Sequence, residues 1–347
     1  MKIYRKLTGI LDSSNYISGD YMLAITLLII STIIGAGFAT GAELASFFGS
    51  IAIPPIIISV IIGIFLLSII SVLIFCARTP GKHVKKVFAI VYFGIFIVMT
   101  AGLANLCGIY ITIISLVFCI AIVCFGFDKL LLLNNYLISF VLVILISVCL
   151  INYESSASYE PQIGITGSIL SALLYAGMNC CLIELVIAKC LQNNSPKKVF
   201  LASCVAVITI CCLIWLILSA IKGIAADMPI ISLSNNIITK AAVFFSILTS
   251  MYICLYNIYL VFGVEKKKTL AKVTSLSILC SISFGFSFFG FLESLGVIYP
   301  ILGGCMILYT LWLFFRFLFN LSRRYFFSRK LLIINNSINS LDIVKNE

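Results

Sequence analysis

The stretch STIIGAGFATGAE, Ser31 to Glu43, sits inside an apolar run long enough to be a membrane-spanning helix. Glycines at 35, 37 and 41 are poor helix material, each costing about 1 kcal/mol relative to alanine in a helix interior. Glu43 then places a carboxylate at bilayer depth, just beyond the weak segment. A break here would expose amide N–H groups at the new helix start and carbonyls at the preceding helix end. The first attract an anion and the second a cation. Irregular backbone at that depth is tolerated only beside protein or a cavity. The stretch therefore reads as a broken helix at a binding site, with close packing of small residues as the competing reading.

The rest of the chain fits such a helix. Of 347 residues, 62% are hydrophobic and 10% charged, against about 25% charged in a soluble domain. This composition predicts an all-α, polytopic membrane protein embedded in a lipid bilayer. The net charge of +11 sits in short loops and the tail, as topology signals do, without the aromatic-interleaved basic face of a nucleic-acid binder. The fourteen cysteines lie mostly in apolar runs and form no CxxC pair, and the single histidine, His83, excludes an HExxH zinc site. No nucleophile–base set is legible, so an enzyme is not expected. Residues 1–20 lack the apolar core of a signal peptide, which leaves insertion to the first span.

Ten spans are expected: 21–49, 51–76, 84–106, 109–127, 130–152, 165–189, 198–222, 237–263, 268–289 and 291–318. With the N-terminus inside, every basic residue except Lys222 and Lys240 falls in a cytoplasmic segment, which also places the C-terminus inside. The organisation that follows is a cytoplasmic tail (1–20), a first five-helix repeat (21–152), an outside loop (153–164), a second repeat (165–318) and a basic cytoplasmic tail (319–347). The tail reads as a membrane-surface anchor followed by a polar end.

Five spans per half invert the second half, the usual plan of secondary transporters, with helices broken at corresponding positions. The sixth span is then expected to break as the first does. Its YAGMN segment repeats the Ala36-Gly37 pair as Ala176-Gly177 and is followed by Glu184, as Gly37 is followed by Glu43. Close packing at Gly177 is the alternative. No lysine or arginine lies deep in any expected span, so an anionic solute would rely on the amides of Ala36, Gly37 and Phe38 between Gly35 and Gly41. Tyr175 and Asn179 are candidates to bind a polar head, and Phe38 to cover an apolar side chain. Such a site suits a mono-carboxylate or zwitterion. The intramembrane carboxylates Glu43, Glu184 and Glu293 are candidate coupling groups.

TIIGAGFATGAELASFFG resembles the first helix of the YkvI-type bacterial membrane proteins. More distantly, IIGAGF is similar to the first helix of amino-acid permeases in the amino acid–polyamine–organocation superfamily, and LGVIYPILGG to the family's last helix. The resemblance implies a LeuT-like five-plus-five inverted repeat in the cytoplasmic membrane and cation-coupled uptake of a small amino-acid-like solute, without a further cofactor. It also implies a sodium site between first-helix carbonyls, here near Ser31 and Ile34, and hydroxyls of the eighth span, here Ser246, Thr249 and Ser250. Protons are the alternative coupling ion. The lysine that replaces sodium in some proton-coupled relatives has no counterpart inside this fifth span. Spore-germination permease-like receptor subunits, which bind without accumulating solute, are the other functional reading. The sequence leaves the oligomeric state open.

The charge alternation makes one direct prediction. Single cysteines at Glu160, Ser195 and Lys267, in a background without reactive thiols, label with an impermeant reagent in intact cells only at 160. Labelling of 195 from outside overturns the ten-span order.

Overall fold

The structure is a computed structural model, and it describes residues 18–49, 53–76, 82–153, 164–224, 226–262 and 269–344. The positions Glu160 and Lys267 just named, and the expected N-terminal tail up to residue 17, lie outside the described residues. Among the described residues the chain is 91% helical with no strand, the architecture of a multi-pass membrane protein.

The first expected span is three helices in succession: α1 (Ser18–Ile33), α2 (Ala36–Thr40) and α3 (Ala42–Phe48). Helix α1 stops because Gly35 is extended, at φ −95° and ψ −164°. Helix α2 stops because Gly41 adopts φ 77°, a left-handed conformation natural to glycine and strained for other residues. There follow α4 (Pro55–Cys76), α5 (Lys82–Cys107), α6 (Ile109–Phe125) and α7 (Phe127–Ile151). A single residue, Gly108 at φ 79°, turns α5 into α6.

The second half contains α8 (Ile165–Asn193), α9 (Pro196–Ile221), a short α10 (Pro229–Leu233), α11 (Ile237–Val261), α12 (Thr269–Phe286) and α13 (Phe291–Val344). The Asn236 side chain caps α11 by accepting the Thr239 N–H at 2.7 Å. A 3-10 turn, Ser287–Phe289, and Gly290 separate α12 from α13. Among the described residues, eight helical segments are long and apolar enough to cross a membrane, while the apolar stretches Met22–Ile33 and Ile109–Phe125 are shorter. Helix α13 continues as one backbone helix to Val344, so the segment expected as a separate tail prolongs the last span.

Helices five spans apart lie together: α4 on α9, α5 on α11, and α6 on α12. Their neighbours exchange in the same manner. Helix α8 packs on α4 and α13, as α1 packs on α9 and α7, and α5 meets α13 as α11 meets α7. Basic side chains lie over aromatic rings at two sites on the expected cytoplasmic side, Lys272 over Tyr259 at 5.8 Å and Arg316 over Trp312 at 5.2 Å.

The sixth span does not break. Helix α8 runs without interruption for 29 residues through Tyr175, Gly177 and Asn179. The glycine serves packing instead: a Cβ at Gly177 would stand 2.6 Å from the Gly303 carbonyl oxygen and 3.1 Å from Ile307 Cγ1 of α13. Facing it, a Cβ at Gly303 would stand 2.9 Å from the Leu174 carbonyl carbon. Two backbones touch where the sequence suggested a gap, because small residues let helices approach in a medium that offers little other drive to associate.

Gly303→Val should therefore destabilise the protein by about 1–3 kcal/mol, since main chain gives way less easily than a side-chain tip. Gly304→Ala, whose Cβ would enter open space, should not lower the thermal midpoint and gains the helix propensity of alanine. Equal midpoints for both variants would remove this contact from the account.

Candidate functional site

The interruption after Ile33 is met by α11. Ser246 Oγ donates to the Ile34 carbonyl at 2.8 Å. Ser250 Oγ lies 3.0 Å from the Ile34 carbonyl and 3.3 Å from that of Ser31. All three serines are fully buried or nearly so. Of the hydroxyls expected here, Thr249 is turned away and donates to the Ser246 carbonyl of its own helix at 2.8 Å, the common resting place of a threonine in a membrane helix. The pair converging on the break is thus Ser246 and Ser250, one helical turn apart.

Gly35 makes room for Met99, whose Sδ would stand 3.1 Å from a Cβ there, while Ser250 Oγ, at 3.5 Å, would be in ordinary contact. The first amide of α2, Ala36 N–H, donates to the Met99 thioether at 3.1 Å. Thioether sulfur is a weak acceptor, easily displaced by a better one. Nothing in the sequence singles out Met99, an apolar residue in an apolar run. Phe38 is fully buried, and Thr40 closes the helix by donating to the Ala36 carbonyl at 2.7 Å. On the side of Gly41, the buried Ile230 of α10 stands 3.2 Å from where a Cβ would be and covers the second interruption.

The carboxylate folds back onto the break. A Cβ on Gly37 would sit 2.7 Å from Glu43 Oε2 and 2.8 Å from Glu43 Cβ, so the missing side chain of Gly37 is the room that Glu43 occupies. Glu43 lies in the first turn of α3, where the helix dipole favours negative charge. From α8, the Tyr175 ring packs edge-on against Phe47 and Phe48 of α3, at 5.4 and 5.3 Å. Its hydroxyl faces both Glu43 and Asn179. From α13, the buried Tyr299 lies close enough to Glu43 to interact with it electrostatically. Tyr299 lies inside the quoted LGVIYPILGG segment, where a tyrosine beside a mid-span proline was the available signal.

Glu184 is buried at another point of α8, beside Tyr92 of α5. The Tyr92 hydroxyl donates towards the carbonyls of Cys181 and Leu182, both at 3.1 Å, and accepts from the Leu185 N–H at 3.4 Å. It thus engages both groups that a helical bond from Leu185 to Cys181 would use. Glu293 is brought to neither buried carboxylate. It is exposed in the first turn of α13, its side chain curled towards Gly290.

No family model matches the chain, and no curated protein matches it.

The Gly37–Glu43 contact predicts non-additivity. Gly37→Ala should lower stability by about 1–3 kcal/mol in the native background and by at least about 0.5 kcal/mol less in a Glu43→Ala background. Equal costs in both, measured by thermal or denaturant unfolding, would show that the carboxylate does not occupy this space.

Proposed function

We propose that this protein is a cation-coupled secondary transporter of a small amino-acid-like solute, built on the LeuT-like plan and related to the YkvI-type membrane proteins. The observation that carries the reading is the meeting of Ser246 and Ser250 with the Ser31 and Ile34 carbonyls at the break of the first span. A bound sodium ion would draw on these four oxygens, with Thr249 contributing only by turning from its own carbonyl. Support for the five-plus-five inverted arrangement comes from the exchange of neighbours between helices five spans apart. On this reading all ten segments cross the cytoplasmic membrane, with both termini inside and the short α1 and α6 completed by their flanking residues.

The solute is a mono-carboxylate or zwitterion. No lysine or arginine is buried among the described residues, and the one amide donor seen at α2 rests on a readily displaced thioether. Such a donor and a neighbouring cation can hold a single carboxylate, because helix-terminus attraction is worth only roughly 0.3–2 kcal/mol. Sodium is the preferred coupling ion. Protons are the rival, with Glu43 and Glu184 as the buried carboxylates for that mechanism.

The test is the sodium response of the purified protein. Sodium, compared with potassium at equal ionic strength, should raise the thermal midpoint of the native protein. The rise should vanish in Ser246→Ala/Ser250→Ala and persist in Thr249→Ala. A double variant that keeps the full sodium response excludes this site, and acid-driven uptake into proteoliposomes would then select proton coupling. Binding of amino acids without uptake would select a receptor instead.

A further inference from the structure

Helices α5 and α13 meet at their expected cytoplasmic ends, and four side chains climb there from the core to the surface. Phe88 of α5 is buried and stands edge-on to Tyr309 of α13, with ring centroids 5.3 Å apart. Tyr309 in turn stacks on Trp312 at 6.0 Å, with 24° between the ring planes. The Arg316 guanidinium lies over the Trp312 ring, 5.2 Å from its centroid. Trp312 is 49% exposed, and Arg316 is exposed. Tyr309, Trp312 and Arg316 recur at i, i+3 and i+7, so one face of α13 carries all three.

The two helices run antiparallel, since a Cβ at Gly94, further along α5, would stand 3.5 Å from Cγ2 of Ile298, earlier on α13. Counting back from Phe88 therefore sets Lys85 level with Trp312, and Lys82 close to the level of Arg316. Helix α5 contains no Asp or Glu, and α13 has none between Glu293 and Asp342. Glu184 of α8 interacts electrostatically with Tyr309 but is buried, whereas Arg316 reaches the surface. A guanidinium laid over a ring keeps its in-plane N–H donors for a partner that approaches its edge. Arg316 also falls inside the apolar stretch Phe291–Phe319, with Phe317, Leu318 and Phe319 beyond it. Its charge is thus held at the depth of the lipid headgroups and not in free solvent.

We propose that this groove seats the headgroup phosphate of an anionic phospholipid. Two oxygens of a phosphodiester match the planar fork of a guanidinium. The lysine positions of α5 add positive charge from the facing helix, the arrangement by which basic pockets between membrane helices hold anionic headgroups. Leu308, exposed and one turn deeper than Trp312, continues the same face as a bed for an acyl chain. A choline lipid fits less well. The Trp312 face that would receive its quaternary ammonium is taken by Arg316, and the basic residues repel it.

The inference requires a membrane-embedded chain and holds whether or not that chain moves a solute. A lipid in the groove pins together the ends of two helices that, further in, carry Met99 and Gly303.

The test is native mass spectrometry of the purified full-length protein in detergent, titrated with phosphatidylglycerol or with phosphatidylcholine of the same acyl chains. Phosphatidylglycerol should be retained at a midpoint at least about fivefold lower, the factor that one basic residue contributes at an anionic surface. Arg316→Gln and Trp312→Leu should each raise that midpoint about fivefold, the second by releasing a guanidinium whose charge is kept. Both positions are exposed, and the thermal midpoint in lipid-free detergent reports that each variant is folded. Lys129→Gln removes one exposed charge from the same expected membrane side, on α7, and should change nothing. Equal retention of the two lipids, an unchanged midpoint in either Arg316→Gln or Trp312→Leu, or an equal loss in Lys129→Gln overturns the site. Displacement by soluble glycerol phosphate at the lipid's own concentration overturns it in favour of a free phosphate. A dimer that excludes the lipid overturns it in favour of a second copy of the chain.

Discussion

The Ile34 carbonyl, released where the first span breaks, has no water to turn to at the depth of a bilayer and takes hydroxyl donors from Ser246 and Ser250 instead. Much of the surrounding structure follows from that obligation. Helix α11 must lie against the break, so its interior face is buried over most of its length. Gly35 leaves the space that the Met99 thioether occupies. The break stays open because its polar groups are met from outside the segment, which a regular helix would not need.

A second obligation is set by charge. Glu43 is buried, and no lysine or arginine is buried among the described residues; the chain answers with room and orientation. Gly37 yields its side-chain volume, the α3 N-terminus offers its dipole, and aromatic contacts from Phe47 and Phe48 hold Tyr175 in place. The break thus has two polar neighbourhoods, serine hydroxyls on its carbonyls in one and the Tyr175 hydroxyl beside the Glu43 carboxyl in the other.

The asymmetry between the halves has a physical cause. Gly177 and Gly303 allow α8 and α13 to touch main chain to main chain, and such a contact favours a continuous helix on both sides. Further along α8, Tyr92 of α5 engages the Cys181 carbonyl and the Leu185 N–H while the helix stays continuous.

Much of the fold was legible in the sequence because its signals are local. Apolar length marked the helices, and the glycines at 35 and 41 marked the interruption, since each forces its own backbone geometry whatever surrounds it. The serines of α11 were legible through their spacing. Which of them turn towards the break was not, because Thr249 and Ser250 differ only in orientation relative to a distant partner. Gly177 had the same local appearance as Gly37, yet one meets a neighbouring backbone and the other a carboxylate. Tyr299, Met99 and Tyr92 reach their sites from helices far away in sequence, and Glu293, alike in composition to Glu43, ends on the surface. Composition and glycine placement alone determined the helical membrane architecture and the broken first span. Long-range packing decided which polar groups meet there, since an orphaned buried atom is satisfied only by what the fold brings to it.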